Sequence, residues 1–111
     1  MINKTINILL IEDNLDDILL LQETLAQASS SSPKFKFHTV HRLDQGLEKL
    51  RTEEVDLIVL DLSLPDCRGM DTLVTLQTKS RQIPIIVLTS MNDEEHALEA
   101  VRKGAQDYLV K

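Results

Sequence analysis

The stretch Leu57-Ile58-Val59-Leu60-Asp61-Leu62-Ser63-Leu64-Pro65-Asp66 runs four apolar residues straight into a carboxylate and then a proline. Four apolar residues without alternation read as a strand buried on both faces, the condition of a strand inside a parallel sheet. Asp61 therefore stands at the carboxyl end of a buried strand, and Pro65 with Gly69 shapes the loop behind it. The pattern recurs on either side. Ile6 to Ile11 is a nearly unbroken apolar run ending in Glu12 and Asp13, and Ile83 to Leu88 is another, ending in Thr89 and Ser90. Pro84 is tolerable near the start of that strand. Phe35 to Val40 reads as a weaker strand, and Tyr108 to Val110 as a short last one that ends at Lys111.

Between these runs the period changes to that of a helix. Ile18, Leu21, Leu25 and Ala28 share one face, with Asn14 as a cap and Asp16 and Asp17 in the first turn, where carboxylates suit the helix dipole. Ser29 to Ser32 and Pro33 form a connecting loop. Leu43, Leu47 and Leu50 mark a second helix, and Met70, Leu73 and Val74 begin a third after Gly69. A fourth carries Ala97, Ala100 and Val101 inward, opened by the capping-box-like Asn92-Asp93-Glu94-Glu95 and stopped at Gly104. Strand and helix thus repeat four times before a final strand, which implies an α/β fold with a parallel sheet covered on both faces. In such folds ligands bind beyond the carboxyl ends of the strands, where the strand order reverses.

Composition narrows the classes. The 111 residues, 42% hydrophobic and 27% charged, suit one globular domain spanning 1–111. A formal charge of -6 argues against direct contact with nucleic acid, whose phosphates reward clustered Lys and Arg. Cys67 is the only cysteine, so no internal disulfide forms, and a lone thiol points to the reducing cytoplasm. No apolar run approaches the roughly 20 residues of a membrane span. His38, His41 and His96 lack the spacing of a zinc site.

The strand ends hold the chemistry. If the strands are parallel neighbours, Glu12, Asp13 and Asp61 meet Thr89, Ser90 and Lys111 at one edge of the sheet. Carboxylates about 4 Å apart repel by up to roughly 4 kcal/mol at an effective dielectric of about 20. A bound cation relieves this most simply, and a set of oxygen ligands suits Mg2+. A carboxylate is also a nucleophile toward phosphoryl groups. Asp61, closing the central strand, is the candidate phosphoacceptor. Mg2+ would answer one phosphoryl oxygen, Lys111 another, and the Thr89 hydroxyl or nearby backbone amides the third.

With these residues in view, the chain resembles the receiver domains of two-component response regulators, over about Ile6 to Lys111. The resemblance rests on Ile11-Glu12-Asp13-Asn14, on Leu60-Asp61-Leu62-Ser63-Leu64-Pro65-Asp66 with Gly69, on Val87-Leu88-Thr89-Ser90, and on Gly104-Ala105-Gln106-Asp107-Tyr108-Leu109-Val110-Lys111. It implies a flavodoxin-like five-stranded parallel sheet in the order 2-1-3-4-5. It implies Asp61 as phosphoacceptor and metal ligand, Asp13 as a direct Mg2+ ligand, Glu12 acting through water, and Ser63 offering its backbone carbonyl. Many members carry Asp where Glu12 stands. Lys111 matches the lysine that contacts the phosphoryl group. Thr89 and Tyr108 match a pair that rearranges on phosphorylation, the ring turning inward.

The implied partners are a sensor histidine kinase or phosphotransfer protein, and an output domain or partner protein regulated in turn. A homodimer is a further possibility, and the domain is a signalling module rather than an enzyme, although it assists its own phosphorylation and dephosphorylation. The rival reading is a non-phosphorylated docking module of the same fold. A haloacid-dehalogenase-type phosphatase would need an acid where Ser63 stands, and a flavin carrier would not place Glu12 and Asp13 against a phosphate. Because family members continue through a Pro-containing turn into a fifth helix, this sequence is expected to be a fragment of a longer protein. An extension of about 12 to 15 residues, one typical helix, would then cover an apolar face.

Overall fold

In the computed structural model, which describes residues 5–28, 34–67, 69–80 and 82–111, the alternation of apolar runs and helical stripes becomes strands and helices in strict succession. They are β1 (Thr5–Ile11), α1 (Leu15–Ala28), β2 (Lys34–Val40), α2 (Leu43–Thr52), β3 (Leu57–Asp61), α3 (Met70–Lys79), β4 (Ile85–Thr89), α4 (Glu94–Arg102) and β5 (Asp107–Val110). A 3-10 turn, Met91–Asp93, precedes α4. All four strand pairings are parallel, in the order β2-β1-β3-β4-β5, as the resemblance implied. The expected loop from Ser29 to Pro33 lies outside the described residues.

The unbroken apolar runs divide by parity, since successive strand side chains point to opposite faces. Leu9, Ile11, Ile58, Leu60, Ile85 and Val87 face one core with α2, α3 and α4, which includes Leu43, Leu73, Leu76, Ala97 and Ala100. Ile8, Leu10, Val59 and Leu88 face a smaller core with Ile18 of α1, flanked by the partly buried Leu21 and Leu25. Gly46 lets α2 lie close on β1, because a Cβ there would come within 2.6 Å of the Ile11 side chain. Gly104 ends the fourth helical segment at φ +117, a conformation that other residues rarely adopt.

Two local expectations need correction. Ile83 and Pro84 lie before β4, which begins at Ile85, because proline has no N–H to give the ladder. The Pro84 carbonyl still accepts from the Ile58 amide at 3.0 Å. Asn92 to Glu95 do not form a capping box: α4 begins at Glu94, and its N-cap, Asp93, makes no side-chain cap. Instead the Ser90 hydroxyl donates to Asp93 Oδ2 at 3.3 Å, and the Asp93 amide to the Ser90 carbonyl at 3.1 Å. Val74 is 51% exposed, so Leu73 and Leu76 carry the burial of α3.

Candidate functional site

The carboxyl ends of β1, β3, β4 and β5 open on one edge of the sheet. Glu12 follows β1 directly, its amide still donating to the Val40 carbonyl at 3.0 Å, and its side chain is fully buried. Asp13, the next residue, is exposed. Asp61 closes β3 and is buried. One oxygen from each of Glu12, Asp13 and Asp61 lies within 4.8 Å of the others. The carboxylates expected at neighbouring strand ends are therefore brought together.

Lys111 answers them. Its Nζ lies 2.8 Å from Glu12 Oε1, 3.1 Å from Asp17 Oδ2 and 3.5 Å from Asp61 Oδ2. Its own amide donates to the Thr89 carbonyl at 2.7 Å, which ties the lysine to the end of β4. Burial pushes the Glu12 carboxyl up to about 7, with Lys111 pulling against the rise and Asp61 adding to it. Burial disfavours the Lys111 charge, but Glu12, Asp61 and Asp17 outweigh it and hold the ammonium above its ordinary range. Two buried carboxylates and one exposed one, with excess negative charge, are what a hard divalent cation needs, so the residues present fit Mg2+.

A cleft of about 590 Å³ beside this cluster is lined by Asp61, Ser63, Thr89 and Lys111 among others. The Ser63 amide donates to Asp61 Oδ1 at 3.1 Å, fixing the loop against the carboxylate. Thr89 is buried, and its hydroxyl donates to the Ser90 carbonyl at 3.1 Å. Tyr108 is not among the residues lining the cleft; its ring is half-buried against the α2–α4 core and its hydroxyl donates to Glu94 Oε2 at 2.6 Å.

Three contributors had no clear sign in the sequence. Asp17, read as a helix-dipole carboxylate, reaches across to Lys111. Asn14 caps α1 as expected, accepting from the Asp17 amide at 3.1 Å. Asp66 accepts from the Leu43 and Asp44 amides at 2.8 and 3.0 Å, so it caps α2 from another loop. Glu94 holds the tyrosine. Only Asp17 had a usable signal, its place in the turn that leaves the Glu12-Asp13 loop.

A family model of the response regulator receiver domain matches residues 8–111. The chain belongs to the response regulator receiver domain family. Among curated relatives, regulatory protein LuxO of Vibrio cholerae is 46% identical over 66 residues, which are 60% of this chain and 14% of that protein. The probable transcriptional regulatory protein SilR of Salmonella typhimurium is 33% identical over 107 residues, 94% of this chain and 43% of that one. The chain thus spans less than half the length of these relatives. The receiver domain of NtrX from Brucella abortus superposes with a TM-score of 0.80 at 23% identity, over 94% of this chain and 84% of that one. The receiver domain of sensor histidine kinase PA1611 from Pseudomonas aeruginosa, crystallised with magnesium in its active-site cleft, has a TM-score of 0.74 and 27% identity over 96% of this chain and 85% of that one.

Proposed function

We propose that this domain takes a phosphoryl group on Asp61, with Mg2+ bound, from a phosphohistidine of a sensor kinase or phosphotransfer protein. An oxygen of the Asp61 carboxylate forms the new bond to phosphorus. The bond from phosphorus to the histidine nitrogen breaks, and that nitrogen keeps the electron pair. Mg2+, when bound, neutralises charge on the phosphoryl oxygens. Glu12, Asp13, Asp61 and the Ser63 carbonyl would hold it, Glu12 through water. Lys111 is free to pair with a phosphoryl oxygen once a cation takes over its carboxylates, and the Thr89 hydroxyl serves another. The phosphoryl group brings roughly -1.5 to -2 charges, enough to reorient Thr89, carry the loop after β4, and change the burial of Tyr108. An output domain or partner protein reads that change.

The observation that carries this reading is the meeting of Glu12, Asp13 and Asp61 within 4.8 Å, with Lys111 at 3.5 Å from Asp61, in a receiver-family chain. Incubation with acetyl phosphate and Mg2+ is expected to add one phosphate to the intact mass. Asp61→Asn should abolish the gain, and chelation should suppress it. An equal gain in Asp61→Asn would overturn the acceptor assignment. No gain in the wild-type protein from either a small donor or a phosphohistidine donor would favour the docking-module reading instead.

A further inference from the structure

The one tyrosine of the chain has its hydroxyl held by a single carboxylate. Its hydroxyl reaches Glu94 Oε2 at 2.6 Å while the ring leans on the core beneath α4. Glu94 is the first residue of α4 and directly follows the Met91–Asp93 turn, which leads back to Ser90 and Thr89. That turn is stitched at its base by the bonds from the Thr89 hydroxyl and the Asp93 amide, both to the Ser90 carbonyl. A shift of Thr89 toward the cleft therefore pulls on the segment that anchors Glu94. The acidic groups facing the phenol are Glu94 and Asp107.

We propose that Glu94 is the positioning residue of the switch: it latches Tyr108 in the resting state and sets how much activation is needed to release the ring. The inference rests on the receiver reading above and names its regulation. Glu94 is not among the residues lining the cleft; it acts through Tyr108. Its hydrogen bond is the first cause, ahead of burial and the charges of Glu94 and Asp107, of the raised pKa of the phenol.

With one tyrosine and no tryptophan, the phenol is read without interference by ultraviolet absorbance and by its ring NMR signals. Glu94→Ala is expected to lower the titration midpoint of Tyr108 and move its ring signals in the unactivated protein. Glu94→Gln keeps the side-chain length and should fall between. Glu95→Ala, in the same helical turn, loses a similar interaction with the helix dipole and should leave the phenol unchanged. Activation is then read with beryllofluoride and Mg2+. Loss of one hydrogen bond that favours the resting state should tighten apparent beryllofluoride binding by about two- to fivefold in Glu94→Ala. In a Tyr108→Phe background the same substitution should have no further effect.

An unmoved phenol in Glu94→Ala overturns the latch. A moved phenol with unchanged beryllofluoride binding overturns its part in the switch. A wild-type protein whose spectrum ignores beryllofluoride loses the receiver reading itself, and the inference with it.

Discussion

Lys111 gathers carboxylates from three places, the loop after β1, the first turn of α1 and the end of β3, and its main chain is pinned to Thr89. On the proposed function, Thr89 is thus the residue where charge at the cleft would meet movement of the loop. Thr89→Ala should still accumulate phosphoprotein, because the proposed acceptor, the proposed metal ligands and Lys111 are intact. A hydrogen bond to a charged oxygen contributes about 1.5–3 kcal/mol, so the bias of the phosphorylated state toward the moved loop should fall about tenfold or more. Tyr108 ring shifts on beryllofluoride addition measure this; shifts as large as in wild type would break the link. Glu12, Asp13, Asp61, Thr89 and Lys111 were legible because each follows an apolar run, and strand ends in a parallel sheet converge. Asp17 offered only its place beside the Glu12-Asp13 loop and Glu94 offered nothing, because local preference already explains an acid in a first helical turn.

At the scale of elements, the helices and strands follow from periodicity, whereas their junctions depend on partners far along the chain. The N-terminus of α2 shows this best. Its N-cap residue, Arg42, makes no side-chain cap, and the orphan amides of Leu43 and Asp44 are met by Asp66, beyond β3. Burial pushes the Asp66 carboxyl up, but those amides, with Arg42 nearby, outweigh it and hold it below its ordinary 3.8. A carboxyl with a depressed pKa contributes stability above its unfolded value and loses it as pH falls through the folded one. Asp66→Ala should therefore cost about 1 kcal/mol, in the range of 0.5–2, in urea unfolding at neutral pH. The difference from wild type should shrink as pH falls from the ordinary value of 3.8 through the lower folded one. A constant difference down to low pH would show that packing, not the carboxylate, holds the junction. The same bonds tie the loop carrying Ser63 to α2, so this variant should also loosen the edge of the cleft.

The whole molecule follows the expected sheet order, because alternating strands and helices with parallel crossovers leave few arrangements. One face is uneven. Leu20 of α1 and Leu109 and Val110 of β5 are 57%, 43% and 43% exposed, beside the buried Leu88. Contiguous apolar surface of this kind usually finds a partner. The 111-residue chain, taken alone, should self-associate with rising concentration, and Leu20→Lys with Leu109→Lys should restore a monomer. Light scattering across a concentration series measures both; a wild-type chain that stays monomeric would show that the stripe drives no association. Among the described residues no helix is long and apolar enough to cross a membrane.

The three-way grip on Lys111 also bears on how the site fills. An acidic cluster without a counter-ion would draw in a cation by simple addition. Here the protein supplies its own positive charge in advance, so cation entry is an exchange in which the ammonium must let go of part of its grip. Exchange would weaken the intrinsic hold on any dication and at the same moment release a lysine for a new anion. On the proposed function, cation and phosphoryl group would be thermodynamically coupled guests, each favouring the arrival of the other through one side chain.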